Sequence, residues 1–187
     1  MFRINKILKS SLVNGPGKRY TIWFQGCSIH CKGCINPDTW DQNGGELKSN
    51  SEIVNELCQL KGQIGGLTLT GGEPLDQLDG LLKFLPMVNM DLSIFLVSGY
   101  QKQVILNTEK KQILDYIDIL CSGPFIESMV DKNMLWAGST NQIVEAITDR
   151  GKQQLETKRK YRSELIIDKK DASLLATGFS LPDYLKK

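Results

Sequence analysis

Four short apolar runs, each stopped by glycine or proline and separated by helix-forming segments, constrain this chain more than any other feature. They are 20–25 (YTIWFQ), 66–70 (GLTLT), 93–97 (SIFLV) and 116–121 (YIDILC). Each has the length and β-branched or aromatic content of a strand. Between them lie amphipathic segments. Ser51 reads as the N-cap of a helix to about Lys61, with Ile53, Leu57 and Leu60 on one stripe. Leu78, Leu81, Leu82 and Leu85 form the apolar face of a second helix, ended by Pro86. Residues 103–116 read as a third helix. Weaker strand signals follow at 143–148 and 164–168.

Strand and helix in alternation predict an α/β fold with parallel strands. In such folds ligands bind at the carboxyl ends of the strands. Here those ends are special. The first run leads into Gly26-Cys27, the second into Gly71-Gly72-Glu73-Pro74, the third into Ser98-Gly99-Tyr100 and the fourth into Ser122-Gly123-Pro124. All four loops are expected on one rim. A closed eight-unit barrel needs about 250 residues, and this chain has 187. A partial, open barrel of parallel strands is the expected architecture. Residues 1–150 form its core domain, and 151–187 form a C-terminal extension packed on that core.

The first of these loops carries the chemistry. Cys27, Cys31 and Cys34 are separated by three residues and then two. A 4Fe–4S cubane normally takes four thiolates. Three on one loop leave an iron free to bind a substrate or cofactor, which suits catalysis better than electron storage. A zinc site would want a second ligand pair at similar spacing. The one histidine, His30, is adjacent to Cys31, so a tetrahedron from this segment alone would be strained. A disulfide framework fits poorly with five cysteines and no secretory leader at the start of the chain. Cys58 and Cys121 read as plain buried thiols.

Composition excludes several classes. Net charge is +2, so nothing draws the whole chain to nucleic acid, and no apolar run reaches membrane-spanning length. A cytoplasmic enzyme is expected, with neither nucleic acid nor membrane as a partner.

The Thr70-Gly-Gly-Glu-Pro74 loop offers bare backbone and a carboxylate. That combination can hold an ammonium group, Glu73 by charge and the glycine carbonyls by hydrogen bonds. By itself a glycine pair before proline is more often a turn. After a strand, and downstream of three spaced cysteines, it gains meaning. An amino-acid moiety chelating the open iron would sit between this loop and the cluster.

These residues resemble the radical S-adenosylmethionine superfamily. The further segments Val13-Asn-Gly-Pro-Gly17, FQGC and Cys34-Ile-Asn-Pro-Asp-Thr-Trp-Asp41 resemble its glycyl-radical-enzyme activases. Gly138-Ser-Thr-Asn-Gln142 and Ser122-Gly-Pro-Phe125 look like the activases of anaerobic ribonucleotide reductase. The likeness covers roughly residues 10–148. It implies a radical enzyme in which Cys27, Cys31 and Cys34 hold a single 4Fe–4S cluster. The fourth iron would bind S-adenosylmethionine, and one electron would break its sulfonium–carbon bond. The resulting 5′-deoxyadenosyl radical would take hydrogen from a glycine Cα. The implied partners are a large glycyl-radical enzyme, anaerobic ribonucleotide reductase, and a flavodoxin- or ferredoxin-type electron donor. Gly71, Gly72 and Glu73 would touch the methionine amine, and Ser98 would lie near the ribose or carboxylate. Gly33 and Ile35 would pack on the adenine, while Asn36 to Asp41 shape the loop, with Asp41 toward the partner. A related alternative is a radical enzyme acting on a small molecule or peptide; a further one is a zinc-binding interaction module.

The chain departs from the superfamily pattern in places. Many members carry an aromatic residue where Gly33 stands, and the usual early aspartate is Asn14. After residue 150 the chain is longer than the minimal activases. Lys152, Lys158, Arg159, Lys160 and Arg162 lie there, read either as a solvated face or as a docking surface. Trp23, Trp40 and Trp136 read as packing residues.

Overall fold

A computed structural model describes residues 1–88, 91–131, 133–157, 163–167 and 174–178. Most of the basic run after residue 150, from Lys158 to Arg162, lies outside the described residues.

The four apolar runs form the centre of a seven-stranded sheet. The strands are β1 (Phe2–Ser11), β2 (Arg19–Phe24), β3 (Glu46–Lys48), β4 (Gly66–Gly71), β5 (Ser93–Ser98), β6 (Ile119–Ser122) and β7 (Ile143–Ala146), in the order β3-β1-β2-β4-β5-β6-β7. β2, β4, β5 and β6 run parallel, as the alternating pattern predicts. The flanks do not, so the sheet is mixed. Residues 12–18 are too few for a parallel crossover, which takes a dozen or more, so β1 lies antiparallel to β2. The segment 123–142 stays at the rim where β6 ends, so β7 starts there and runs back, with Ser122 opposite Ile143.

Register explains why the core is on one side. Tyr20, Leu67 and Ile94 form one cross-strand row, and Ile22, Leu69, Leu96 and Leu120 form the next. Side chains alternate faces along a strand, so these rows share the face that packs on the helices. Phe2, Ile53, Leu57, Leu81 and Phe84 complete that core. The opposite face carries Thr21, Thr68 and Phe95 in register, with Trp23 beside Thr70. This face is largely polar, and its apolar part is a smaller cluster of Phe95, Ile119, Cys121, Trp136 and Ala137.

The helices are α1 (Asn50–Gln59), α2 (Leu78–Phe84), α3 (Lys102–Leu106) and α4 (Asp149–Leu155). The N-cap of α1 is Ser49, not Ser51: Ser49 and Glu52 form a reciprocal capping box. The expected 103–116 helix is two pieces, α3 and a 3-10 segment Glu109–Asp115, parted at Asn107 and Thr108. Pro86 does not end the second helix outright but sits in a 3-10 turn, Leu85–Met87. Cys121 is buried as expected, whereas Cys58 on α1 is exposed.

At the amino end of the parallel strands one buried guanidinium replaces hydrophobic packing. Arg19 Nε donates to Thr68 Oγ1 at 2.8 Å. Its two terminal nitrogens donate to the carbonyls of Pro16 (2.8 Å), Leu67 (2.9 Å) and Ser93 (2.7 Å), and to the side chains of Ser93 and Gln154. Gln154 brings α4 onto the sheet. A hairpin of β8 (Ser163–Ile167) and β9 (Leu174–Gly178) meets the chain after β1. Glu164 Oε2 accepts from Ser11 Oγ at 2.9 Å, and Thr177 is hydrogen-bonded to Asn14.

Candidate iron–sulfur and cofactor site

Because β2, β4, β5 and β6 are parallel, their carboxyl ends share one edge, and the four loops meet there. One pocket is walled by Cys27, Cys31 and Cys34 from the first loop and by Thr70, Gly71, Gly72 and Glu73 from the second. Ser98 and Gly99 come from the third, Phe125 from the fourth, and Gly138 and Gln142 close the far side.

Backbone approach explains the glycine pair. The N–H of Gly72 donates to Phe24 O and that of Glu73 to Gly26 O, both at 2.9 Å. This extends the β2–β4 ladder to within one residue of Cys27. A Cβ on Gly72 would lie 2.1 Å from Gly26 O, and one on Gly71 would lie 2.4 Å from Phe24 N, with φ at +107. Only glycine lets the two loops close up.

The cysteine loop turns back through His30, which takes a left-handed φ of 50 and sets its ring 4.9 Å from that of Trp40. The Asn36 N–H donates to the Cys34 sulfur at 3.4 Å. Burial pushes the Cys27 and Cys31 thiols up, and the backbone N–H groups of Ile29 and His30 near Cys27 and of Phe125 near Cys31 pull against it. Such donors stabilise sulfur in its ligating, anionic form. Among the described residues no three His, Cys, Asp or Glu side chains converge as a site for one metal ion requires. A cubane spreads its thiolates over separate irons, and all three cysteines line the one pocket.

Glu73 differs from the freely offered carboxylate expected. It is fully buried, Oε1 accepts from Leu75 N–H and Ser98 Oγ, and Oε2 accepts from Gly99 N–H, all at 2.8 to 2.9 Å. Desolvation outweighs these bonds and raises its pKa to about 7. The acid ties the second loop to the third while its lone-pair capacity leaves room for one more donor. Ser98, itself buried, acts on Glu73 rather than standing free in the pocket.

Ile35 and Asn36 line the pocket, with Ile35 66% exposed at its mouth. Gly33 is not on the pocket wall: its φ is +74, and a Cβ there would lie 2.7 Å from the Glu127 side chain. Trp40, read as packing, also reaches the pocket. Trp23 and Trp136 are buried, Trp23 beneath the Lys6 ammonium. The sequence reading missed Gln142 and Phe125 as wall residues, although it had singled out both motifs. It missed Asp76 altogether. Asp76 accepts from the Ser28 N–H at 2.7 Å and from the hydroxyls of Ser28 and Tyr100 at 2.9 Å, joining the first three loops.

No helix among the described residues is long and apolar enough to cross a membrane. The family model described as "4Fe-4S single cluster domain" matches residues 13–145. The anaerobic ribonucleoside-triphosphate reductase-activating protein of Haemophilus influenzae is 36% identical over 143 residues, covering 72% of this chain and 92% of the relative. Its namesake in Escherichia coli K12 is 33% identical over 141 residues, covering 71% and 91%. That of Enterobacteria phage T4 is 32% identical over 151 residues, covering 78% and 94%. By the extent of these matches and the cysteine-walled pocket they enclose, the chain belongs to the 4Fe-4S single cluster domain family and, within it, to the reductase-activating proteins.

Proposed function

We propose that this chain is a radical S-adenosylmethionine activase that generates a glycyl radical on an anaerobic ribonucleoside-triphosphate reductase, with a flavodoxin- or ferredoxin-type protein as electron donor. The observation that carries the reading is the meeting of the three cysteines, the glycine pair and Glu73 on one pocket at the carboxyl edge of parallel strands. On this reading the sheet is the partial barrel of the superfamily, and the stretch after residue 150 is an extension of it.

Cys27, Cys31 and Cys34 would ligate three irons of one 4Fe–4S cluster and leave the fourth open. When bound, the reduced cluster and S-adenosylmethionine together supply cleavage of a sulfonium–carbon bond and a carbon radical able to take a glycine hydrogen. Gly71 and Gly72 set the backbone edge against which the methionine ammonium rests. Glu73 faces that ammonium, which holds its carboxylate ionised. Ser98 and the Gly99 amide keep the carboxylate turned into the pocket. Ile35 offers an apolar face to the adenine, while Asn36 holds Cys34 by its amide. Gly33 serves the turn and is withdrawn from adenine contact.

The test is to mix the reconstituted chain, a reductant, S-adenosylmethionine and the reductase without oxygen, then record an electron paramagnetic resonance spectrum. A doublet radical on the reductase, lost when its radical glycine becomes alanine, is expected. Formation of 5′-deoxyadenosine only with an added small molecule or short peptide would replace this reading with the alternative one.

A further inference from the structure

Beside the cysteine pocket lies a second cavity, on the sheet face that carries Thr68 and Thr70. The two share Ile35, Asn36, Thr70 and Val97 as walls. The second is also bordered by Ala176, Thr177 and Gly178 of β9. Successive side chains of a strand point to opposite faces. Three consecutive residues bordering one cavity therefore turn a backbone edge to it rather than a face. That edge is open: among the described residues β9 pairs with β8 alone, and the hairpin is a sheet of its own. Side chains, not a ladder, tie it to the rest of the chain. Asn14 Nδ2 donates to Thr177 Oγ1 at 3.1 Å, and Glu164 Oε2 accepts from Ser11 Oγ at 2.9 Å and from the Leu12 N–H at 3.3 Å. The hairpin lies beyond residues 13–145, which the family model matches. On a strand edge of this kind alternate N–H and C=O groups stand ready to pair with another strand.

We propose that the free edge of β9 docks an extended polypeptide, the glycine-bearing segment of the reductase, by taking it as a third strand of the hairpin beside the cysteine pocket. The inference rests on the activase reading above, which makes the substrate a protein. An extended polypeptide brings main-chain donors and acceptors that match a strand edge whatever its side chains, the mode of recognition by strand addition. Glycine, with no Cβ, lets the segment close up where the two cavities share a wall. A small molecule would be held by side chains and would leave the edge unused.

Two measurements on the cluster-loaded chain with S-adenosylmethionine decide it. The first is amide hydrogen exchange in the unmutated protein, with and without saturating reductase. Those amides of 176–178 that point away from β8 should exchange about tenfold more slowly, or slower still, with the reductase bound. The second is the KM for reductase in glycyl-radical formation. Ala176→Leu adds bulk at the border of the cavity, and Thr177→Val loses the bond to Asn14. Each should raise KM about tenfold, the worth of one or two hydrogen bonds, and change kcat much less. Reductase that binds while exchange at 176–178 stays the same overturns the inference, and so does an unchanged KM in both variants. Should the variants fail to fold, exchange in the unmutated chain decides alone. An unmutated chain that forms 5′-deoxyadenosine yet neither binds nor activates the reductase defeats the activase reading and the inference with it, which the binding measurement separates from the other outcomes.

Discussion

The Ser98 hydroxyl donates to the Glu73 carboxylate at 2.9 Å inside the protein, so the loops that end β4 and β5 are joined through a buried acid. That acid is the most pH-sensitive element of the site. Burial raises it from 4.5 to about 7. A folded-state value above the unfolded one means that the folded chain holds its proton longer. Stability is then greatest below pH 4.5 and is lost as pH rises toward 7. The full loss is about 3 kcal/mol, from the size of the shift at 1.36 kcal/mol per unit. Urea unfolding of cluster-free protein across this range should show wild type losing stability relative to Glu73→Gln as pH rises. Parallel curves for the two proteins would defeat the assignment.

The same group sets a pH dependence for the cofactor. An ammonium ligand selects ionised Glu73, so below pH 7 binding must expel a proton. S-adenosylmethionine affinity should rise up to about tenfold per pH unit between 5 and 7 and then level off. Calorimetry in buffers of different ionisation heat should detect the released proton, and Glu73→Gln should abolish both effects. Pre-formed hydrogen bonds from Leu75, Ser98 and Gly99 make Ser98→Ala a milder change, on the order of 1 kcal/mol in affinity.

The five cysteines should separate into three behaviours. Cys27→Ala, Cys31→Ala and Cys34→Ala should each lose the cluster, whereas Cys58→Ala and Cys121→Ala should keep about four irons per chain. In the native cluster-free protein iodoacetamide should label exposed Cys58 readily. It should spare Cys121, which is buried and whose thiol burial pushes up to about 12. Mass spectrometry of the labelled peptides gives the answer. Prompt native-state labelling of Cys121 would contradict its place beside Phe95 and Trp136.

Much of this was legible in the chain because the determinants are local. The four central strands are apolar runs with glycine or proline at their ends, and parallel alternation follows from the helices between them. The cysteine spacing and the glycine pair lie in continuous sequence. β1 was hidden because FRINKILKSS carries Asn5, Lys6 and Lys9 and is largely half-buried, which blurs its alternation. The antiparallel flanks depend on how short or how localised a connection is, and hydrophobic period carries no direction. The break at Asn107 and Thr108 fell inside a pattern that continued through it. Ser49-Asn-Ser-Glu52 spells a capping box, but Ser51 two residues on carries the same N-cap signal, and only the reciprocal bonds between Ser49 and Glu52 separate the two. The wall at Phe125 and Gln142 was not readable as a wall, because hydrogen bonds between the 123–126 and 138–142 segments, far apart in sequence, bring both to the pocket.

Arg19 offers a test of the sheet that leaves the rim intact. Its guanidinium serves the carbonyls of Pro16, Leu67 and Ser93 from one planar fork. Lysine has a single nitrogen and cannot reach all three. Arg19→Lys should lower unfolding free energy by about 3 kcal/mol, mainly through carbonyls left unpaired in the interior. Urea denaturation with an unchanged m-value is the expected form of the loss. An effect under about 0.5 kcal/mol would mean that water enters and replaces the fork.

The last prediction concerns the latch made by Asp76. One carboxylate receives the Ser28 amide, the Ser28 hydroxyl and the Tyr100 hydroxyl, so it binds the residue after Cys27 to the loops following β4 and β5. The group is solvent-facing, and each bond is worth about 1 kcal/mol, too little to decide the fold. Its effect should instead appear where the first loop must stay closed, at Cys27. Asp76→Ala should leave thermal stability of the cluster-free chain within about 1 kcal/mol of wild type. It should nonetheless speed cluster loss to a chelator about tenfold, because the loop opens more often. Asp76→Asn keeps one acceptor oxygen and should fall between the two. Tyr100→Phe removes only one donor and should produce a smaller increase than Asp76→Ala. Chelator kinetics followed by the loss of visible absorbance distinguish these cases. If Asp76→Ala and wild type release iron at the same rate, the cysteine loop is held by its backbone contacts to Thr39 and Trp40 alone.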